Sequence, residues 1–129
     1  MNKLNDFAEL AGRILIAAIF VAAGFSKITG YAGTQAYMES VHVPGALLPL
    51  VIATELGGGL LVILGLWTRQ AAFALGGFSA LAALLFHFNF ADQMQSVLFM
   101  KNFALAGGFL FLVAHGAGRL SLDARFAKT

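Results

Sequence analysis

A helix needs about 20 mostly apolar residues to cross a hydrocarbon core ~30 Å thick. Four stretches of this sequence reach that length, at residues 10–28 (LAGRILIAAIFVAAGFSKI), 47–66, 71–90 (AAFALGGFSALAALLFHFNF) and 97–115 (VLFMKNFALAGGFLFLVAH). Only 11% of the 129 residues are charged, against about 25% in soluble domains. None of the runs carries the wide polar face of a helix that packs in water. In lipid the backbone must bond internally, so such runs are helices. The expected fold is therefore all-α: one four-span transmembrane helix bundle over residues 1–129.

The links between runs are short, which makes neighbouring helices antiparallel. The longest, residues 29–46 (TGYAGTQAYMESVHVPGA), is polar. Within it TQAYMESV reads as a short interfacial helix, capped by Thr34 and stopped before Pro44. The link at 67–70 is a tight turn, and Ser96 is placed to cap the fourth helix. The N-terminal MNKLNDFAELAGR carries four charges and no cleavage signature follows, so the first helix is expected to be retained.

Lys and Arg set orientation. Lys3, Arg13, Arg69, Arg119, Arg125 and Lys128 fall on one side, and Lys27 and Lys101 on the other, within the spans. That bias predicts a multi-pass protein of the inner (plasma) membrane with both termini cytoplasmic and residues 29–46 outside. Arg13 reads as an anchor to lipid phosphate and His115 as an interfacial residue. A net charge of +2, scattered along the chain, gives no reason to expect nucleic acid. The sequence has no cysteine, no histidine pair at matching depth for haem, and no phosphate-binding glycine motif. No metal, haem or nucleotide is expected, and membrane lipids are the first partners.

Ionisable groups inside spans are rare and functional by default. Here antiparallel packing brings Lys27, Glu55, His87, Lys101 and Asn102 into the outward half of the bundle. Glu55 is the only acid within the runs. Burial disfavours a lone charge, and Lys27 and Lys101 compete to be its partner. Lys27 sits at a helix C-terminus, where the dipole favours it. Lys101 sits near a helix N-terminus and needs an acid more, from Glu55 or Asp92.

Two readings of this cluster stand. One is a structural Glu-Lys clasp that fixes the bundle, in a protein that passes a small solute or anchors a partner. The other is a ligand pocket, framed by Phe20, Phe25, Phe86, Phe88, Phe90, Phe99 and Phe103. A quinone head group suits such a pocket. Lys101 and Asn102 would hold its carbonyl oxygens, with Lys27 beside them. Glu55 and His87 would carry protons as the catalytic pair. The glycines at 57–59, 76–77 and 107–108 read as packing devices that let helices come close.

The stretches FVAAGFSKITGYAGTQAYM, VPGALLPLVIATELGGGLLVILGLWTR, FHFNFADQ and FMKNFALAGGFL resemble the DoxX family of small four-span membrane proteins. The resemblance runs through all four spans and implies a helical bundle with a link to quinone or redox chemistry. It also implies a partner redox subunit, since the family takes its name from a subunit of a thiosulfate:quinone oxidoreductase. It supplies no settled catalytic residues.

Overall fold

The computed structural model describes residues 2–127; Lys128, counted in the charge bias, lies outside them. The helices are α1 (Lys3–Thr29), α2 (Tyr31–Ser40), α3 (Gly45–Leu64), α4 (Thr68–Phe86), α5 (Gln93–His115) and α6 (Leu122–Ala127). Four of these, α1, α3, α4 and α5, are long and apolar enough to cross a membrane. They run antiparallel, with both described ends of the chain on one face and α2 on the other.

Caps, not hydropathy, set the ends. The Asn2 side chain accepts from Leu4 N at 2.8 Å, so α1 begins well before its apolar run. Gly30 caps α2 in place of Thr34, whose hydroxyl donates back to Gly30 O. Pro44 precedes α3, and Pro49 is tolerated in its first turns. A left-handed Gly65 (φ 71°) ends α3. The third span stops at Phe86 rather than 90, because Asn89 and Asp92 compete for backbone amides there. Asn89 Oδ1 accepts from Ala91 N at 3.2 Å, and Asp92 Oδ1 from Met94 N at 2.9 Å. Asp92, not Ser96, therefore caps α5.

The spans form a ring in chain order. The α4–α5 seam is the most extensive and the α1–α5 seam the thinnest. The core is Ala17, Phe20, Val62, Ala71, Ala72, Leu75 and Phe109. Phe20 and Phe109 meet edge to face at 5.4 Å and tie α1 to α5. A second cluster, Met38, Val43 and Leu48, fastens α2 across the bundle end.

Some of the glycines are close-approach points. A Cβ on Gly24 would lie 2.9 Å from Leu56 N, and one on Gly59 would lie 2.9 Å from Val21 Cγ2. Gly58, Gly76 and Gly108 also lie against side chains of other helices, while Gly57, Gly77 and Gly107 face open space. Gly24→Ala is expected to destabilise by about 1–3 kcal/mol, because backbone and not a flexible side chain blocks the methyl. Thermal unfolding followed by circular dichroism in mild detergent reads this. An unchanged midpoint would mean α1 separates from α3 freely.

The face with the chain ends carries a polar lock that corrects the reading of Arg13 as a lipid anchor. Arg13 is 1% exposed. Its guanidinium donates to Val62 O and Ile63 O at 3.1 Å each, and to Leu120 O. Ile63 O and Leu120 O are left over at the end of α3 and before α6, where a helix cannot satisfy them itself, and Val62 O also accepts from Gly65 N at 3.1 Å. The side chain bends inward to them instead of outward to phosphate. Asp123 completes the lock, accepting from Trp67 N at 2.8 Å and Thr68 N at 2.9 Å, while its own amide donates to Gly65 O. It holds Trp67 in a left-handed conformation (φ 48°) that is uncommon for a bulky residue.

Burial alone would raise the Asp123 carboxyl. The hydrogen bonds it accepts at the start of α4, and the Arg13 charge, outweigh that and hold it below the usual carboxylate range. A lowered folded-state value adds stability above the unfolded value, ~3.9, which is lost as pH falls through the folded one. Wild-type protein should therefore lose more thermal stability than Asp123→Asn between about pH 5 and pH 3. Parallel melting curves would count against this lock.

Candidate functional site

The second span is not a uniform helix. It opens with a 3-10 turn at Gly45–Leu47 and is interrupted by a π turn at Ala53–Gly57, with Glu55 at its centre. A π turn inserts one residue into the helical register and recurs at functional sites. Here it widens the helix where Glu55 meets α1. The Glu55 side chain is buried, and its Oε1 lies 2.8 Å from Lys27 Nζ. The angles fall outside hydrogen-bond geometry, so charge alone holds that oxygen. Lys27 keeps 28% of its side chain exposed.

The competition between lysines is thereby decided for Lys27. Gly24, one turn earlier on α1, lets the backbone of α3 approach. Lys101 lies on α5, whose main partner is α4, and makes no ion pair among the described residues. Nor does Asp92 serve it, being occupied as the α5 cap.

A cavity of about 260 Å³ opens beside this pair, and Lys27, Glu55, His87, Lys101 and Asn102 all line it. Every span contributes a wall. The roof is α2, through Thr34, Tyr37 and Met38. His87 is the residue after α4, where the helix has already ended. Its Nδ1 lies 2.7 Å from Gln95 Oε1, an acceptor, so Nδ1 donates and Nε2 is left without a bond. Asn102 is 8% exposed, and its side chain makes no hydrogen bond to the protein. Its amide is open to the cavity.

The aromatic frame differs from the expected one. Phe20 and Phe86 line the cavity, joined by Phe78. Phe25 is exposed, and Phe88, Phe90, Phe99 and Phe103 pack on one another outside it in tilted and edge-to-face contacts, with centroids 4.9–5.9 Å apart. The early end of α4 turns Phe88 and Phe90 away. Tyr37 takes their place, stacked on Phe86 at 5.6 Å. Thr34, Tyr37 and Ser79 also line the wall and were not singled out as site residues. The one hint for Tyr37 was a polar aromatic in the short helix. Ser79 donates to Leu75 O, the usual way a span hides a hydroxyl.

A family model described as DoxX matches residues 8–88, a stretch that includes Lys27, Glu55 and His87 but stops before α5. The chain is 52% identical over 123 residues to "Inner membrane protein YqjF" of Escherichia coli strain K12, covering 95% of each chain. It is 34% identical over 123 residues to "Inner membrane protein YphA" of the same organism, covering 90% of this chain and 88% of the relative. It is 38% identical over 69 residues to "Putative oxidoreductase CatD" of Bacillus subtilis strain 168, covering 54% of this chain and 52% of CatD. No solved structure matches the chain.

Proposed function

The chain is a multi-pass inner-membrane protein of the DoxX family, and from that premise we propose that it binds a quinone, or a similar hydrophobic redox ligand, in the cavity beside Glu55. It would act as a quinone-linked redox subunit or in defence against quinone and oxidative stress. One observation carries the reading: Asn102, buried and without a hydrogen-bond partner, faces a cavity that four other polar side chains also line. An occupant with an acceptor or donor of its own would satisfy that amide. The name "Putative oxidoreductase" carried by one of the relatives agrees with a redox role.

The size narrows the occupant. About 260 Å³ lies just below the ~300–1,000 Å³ usual for small-molecule sites. That admits a ring head group and leaves a hydrocarbon tail to emerge through the thin α1–α5 seam into lipid. Lys101 and Asn102 hold the carbonyl oxygens, and Phe86 and Tyr37 flank the ring. Reduction of a quinone to a quinol takes two electrons and two protons. Glu55 and His87 relay the protons, each first taking one up from water at the outer surface, His87 at its unbonded Nε2, and the electrons come from a partner redox subunit. With both termini cytoplasmic, the cavity lies in the outward half of the membrane.

A second reading keeps the Lys27–Glu55 pair as a structural clasp, because that pair is complete without any ligand. Titration of detergent-purified protein with a short-tailed ubiquinone analogue separates the two. Saturable one-to-one binding is expected. Asn102→Leu should weaken it about tenfold, the effect of one lost hydrogen bond to a buried group, ~1.4 kcal/mol, with little change in melting point. No saturable binding to the wild type would leave the clasp.

A further inference from the structure

The charges around the cavity do not balance. Two ammonium groups, Lys27 and Lys101, line it, with one carboxylate, Glu55. Glu55 is committed to Lys27 at 2.8 Å. The other acids toward this end of the bundle are engaged elsewhere: Asp92 caps α5, and Glu39, on α2, packs against Gly45. Neither lines the cavity. Lys101 is thus a cation within a membrane span that has no acid partner among the described residues. Such a group is costly in hydrocarbon and marks a site that something else completes.

Its neighbour sharpens the point. Asn102 is more than nine-tenths buried and lines the same cavity with its side chain unbonded. Both residues line the cavity, the ammonium and the amide N–H₂ are both donors, and charge-assisted bonds to an anion are the strong kind. The roof and walls around them are Tyr37, Met38, Phe86 and Leu105, which suit an apolar body.

We infer that the occupant of this cavity carries an anionic head on a hydrophobic body, gripped by Lys101 Nζ and the Asn102 amide. An ionised hydroxyl on a quinone-type ring and a carboxylate on a hydrocarbon tail share that chemistry. The inference rests on the reading of the cavity as a ligand site and narrows its ligand class. The competing behaviour of Lys101 is to extend its exposed side chain toward the membrane surface, as lysines in spans do. In that case it would leave the ligand's charge unread.

Two matched pairs of probes test this on purified protein in a non-ionic detergent at neutral pH. One pair is 2-hydroxy-1,4-naphthoquinone, ionised under these conditions, against 1,4-naphthoquinone. The other is dodecanoate against dodecanol. The wild type should bind the anionic member of each pair about tenfold tighter or more. Lys101→Gln should remove that preference, weakening the anionic member of each pair at least tenfold more than its neutral partner, and Lys101→Arg should keep it. Equal binding within both pairs, or a preference that survives Lys101→Gln, overturns the inference and leaves the quinone reading in place. Dodecanoate preferred over dodecanol, with neither naphthoquinone bound, supports the inference and removes the quinone. Failure of all four probes overturns both.

Discussion

Glu55→Gln is expected to weaken quinone binding at least tenfold, ~1.4 kcal/mol or more, while costing the fold only about 1 kcal/mol. The argument turns on Lys27. Its ammonium is held in the cavity by the Glu55 carboxylate at 2.8 Å, yet its side chain is 28% exposed and stands two residues from the end of α1. Once the carboxylate is gone, Lys27 can extend to the membrane surface and recover solvation there. Stability therefore falls little, since a partly exposed pair is screened. The cavity loses more: its only carboxylate, and the ammonium that the carboxylate held in place. A pure clasp predicts the reverse. Breaking a fully buried pair costs about 3–5 kcal/mol, and a structural device would show a collapse in melting point with no change in ligand affinity. Binding and thermal unfolding of the same variant thus separate the two readings.

Arg13→Met is expected to be the most destabilising single change at a charged residue, by about 3–5 kcal/mol, the range found when a buried charged partner is removed. For a chain of this size that is roughly a 10 °C fall in melting point or more. Arg13 is fully buried and satisfies three carbonyls from two separate segments. Methionine fills much of the volume but leaves Ile63 O and Leu120 O without donors, each a cost of about 1–3 kcal/mol, while Val62 O keeps only the Gly65 amide. It also removes the cation beside Asp123, whose carboxylate holds the start of α4. Arg13→Lys should rescue only in part, because one ammonium cannot reach carbonyls arranged for a planar fork. Circular dichroism melts of the three proteins test the order wild type, Lys, Met. A Met variant as stable as the wild type would mean that α6 is merely laid against the bundle.

The spans were legible because hydrocarbon leaves a chain little choice, and length and apolarity alone mark a crossing helix. The gathering of Lys27, Glu55, His87, Lys101 and Asn102 was legible for a related reason. In antiparallel helices, depth can be counted from the links at 1.5 Å per residue. What depth does not encode is rotation about each helix axis. That is why the partner of Glu55 stayed open between two lysines until the Gly24–Leu56 contact placed α1 beside it. The π turn is invisible to periodicity, since it is one residue out of register in an apolar stretch. Helix ends failed where a local polar group overrode hydropathy, as Asn89 and Asp92 did at the end of the third span. That shift of four residues turned Phe88 and Phe90 out of the aromatic wall. Arg13 was misread because a charge near a helix end looks the same in sequence whether it faces phosphate or reaches inward to spare carbonyls.

The central claim is that the cavity beside Glu55 holds a quinone-type ligand in the membrane. Its most direct test is mass spectrometry of organic extracts from protein purified in mild detergent from its native membrane, wild type beside Glu55→Gln. The wild type should carry a membrane quinone approaching one per chain, and the variant should carry much less at equal folded yield. Equal amounts in both samples, or no quinone above the background of an unrelated four-span protein, would contradict it.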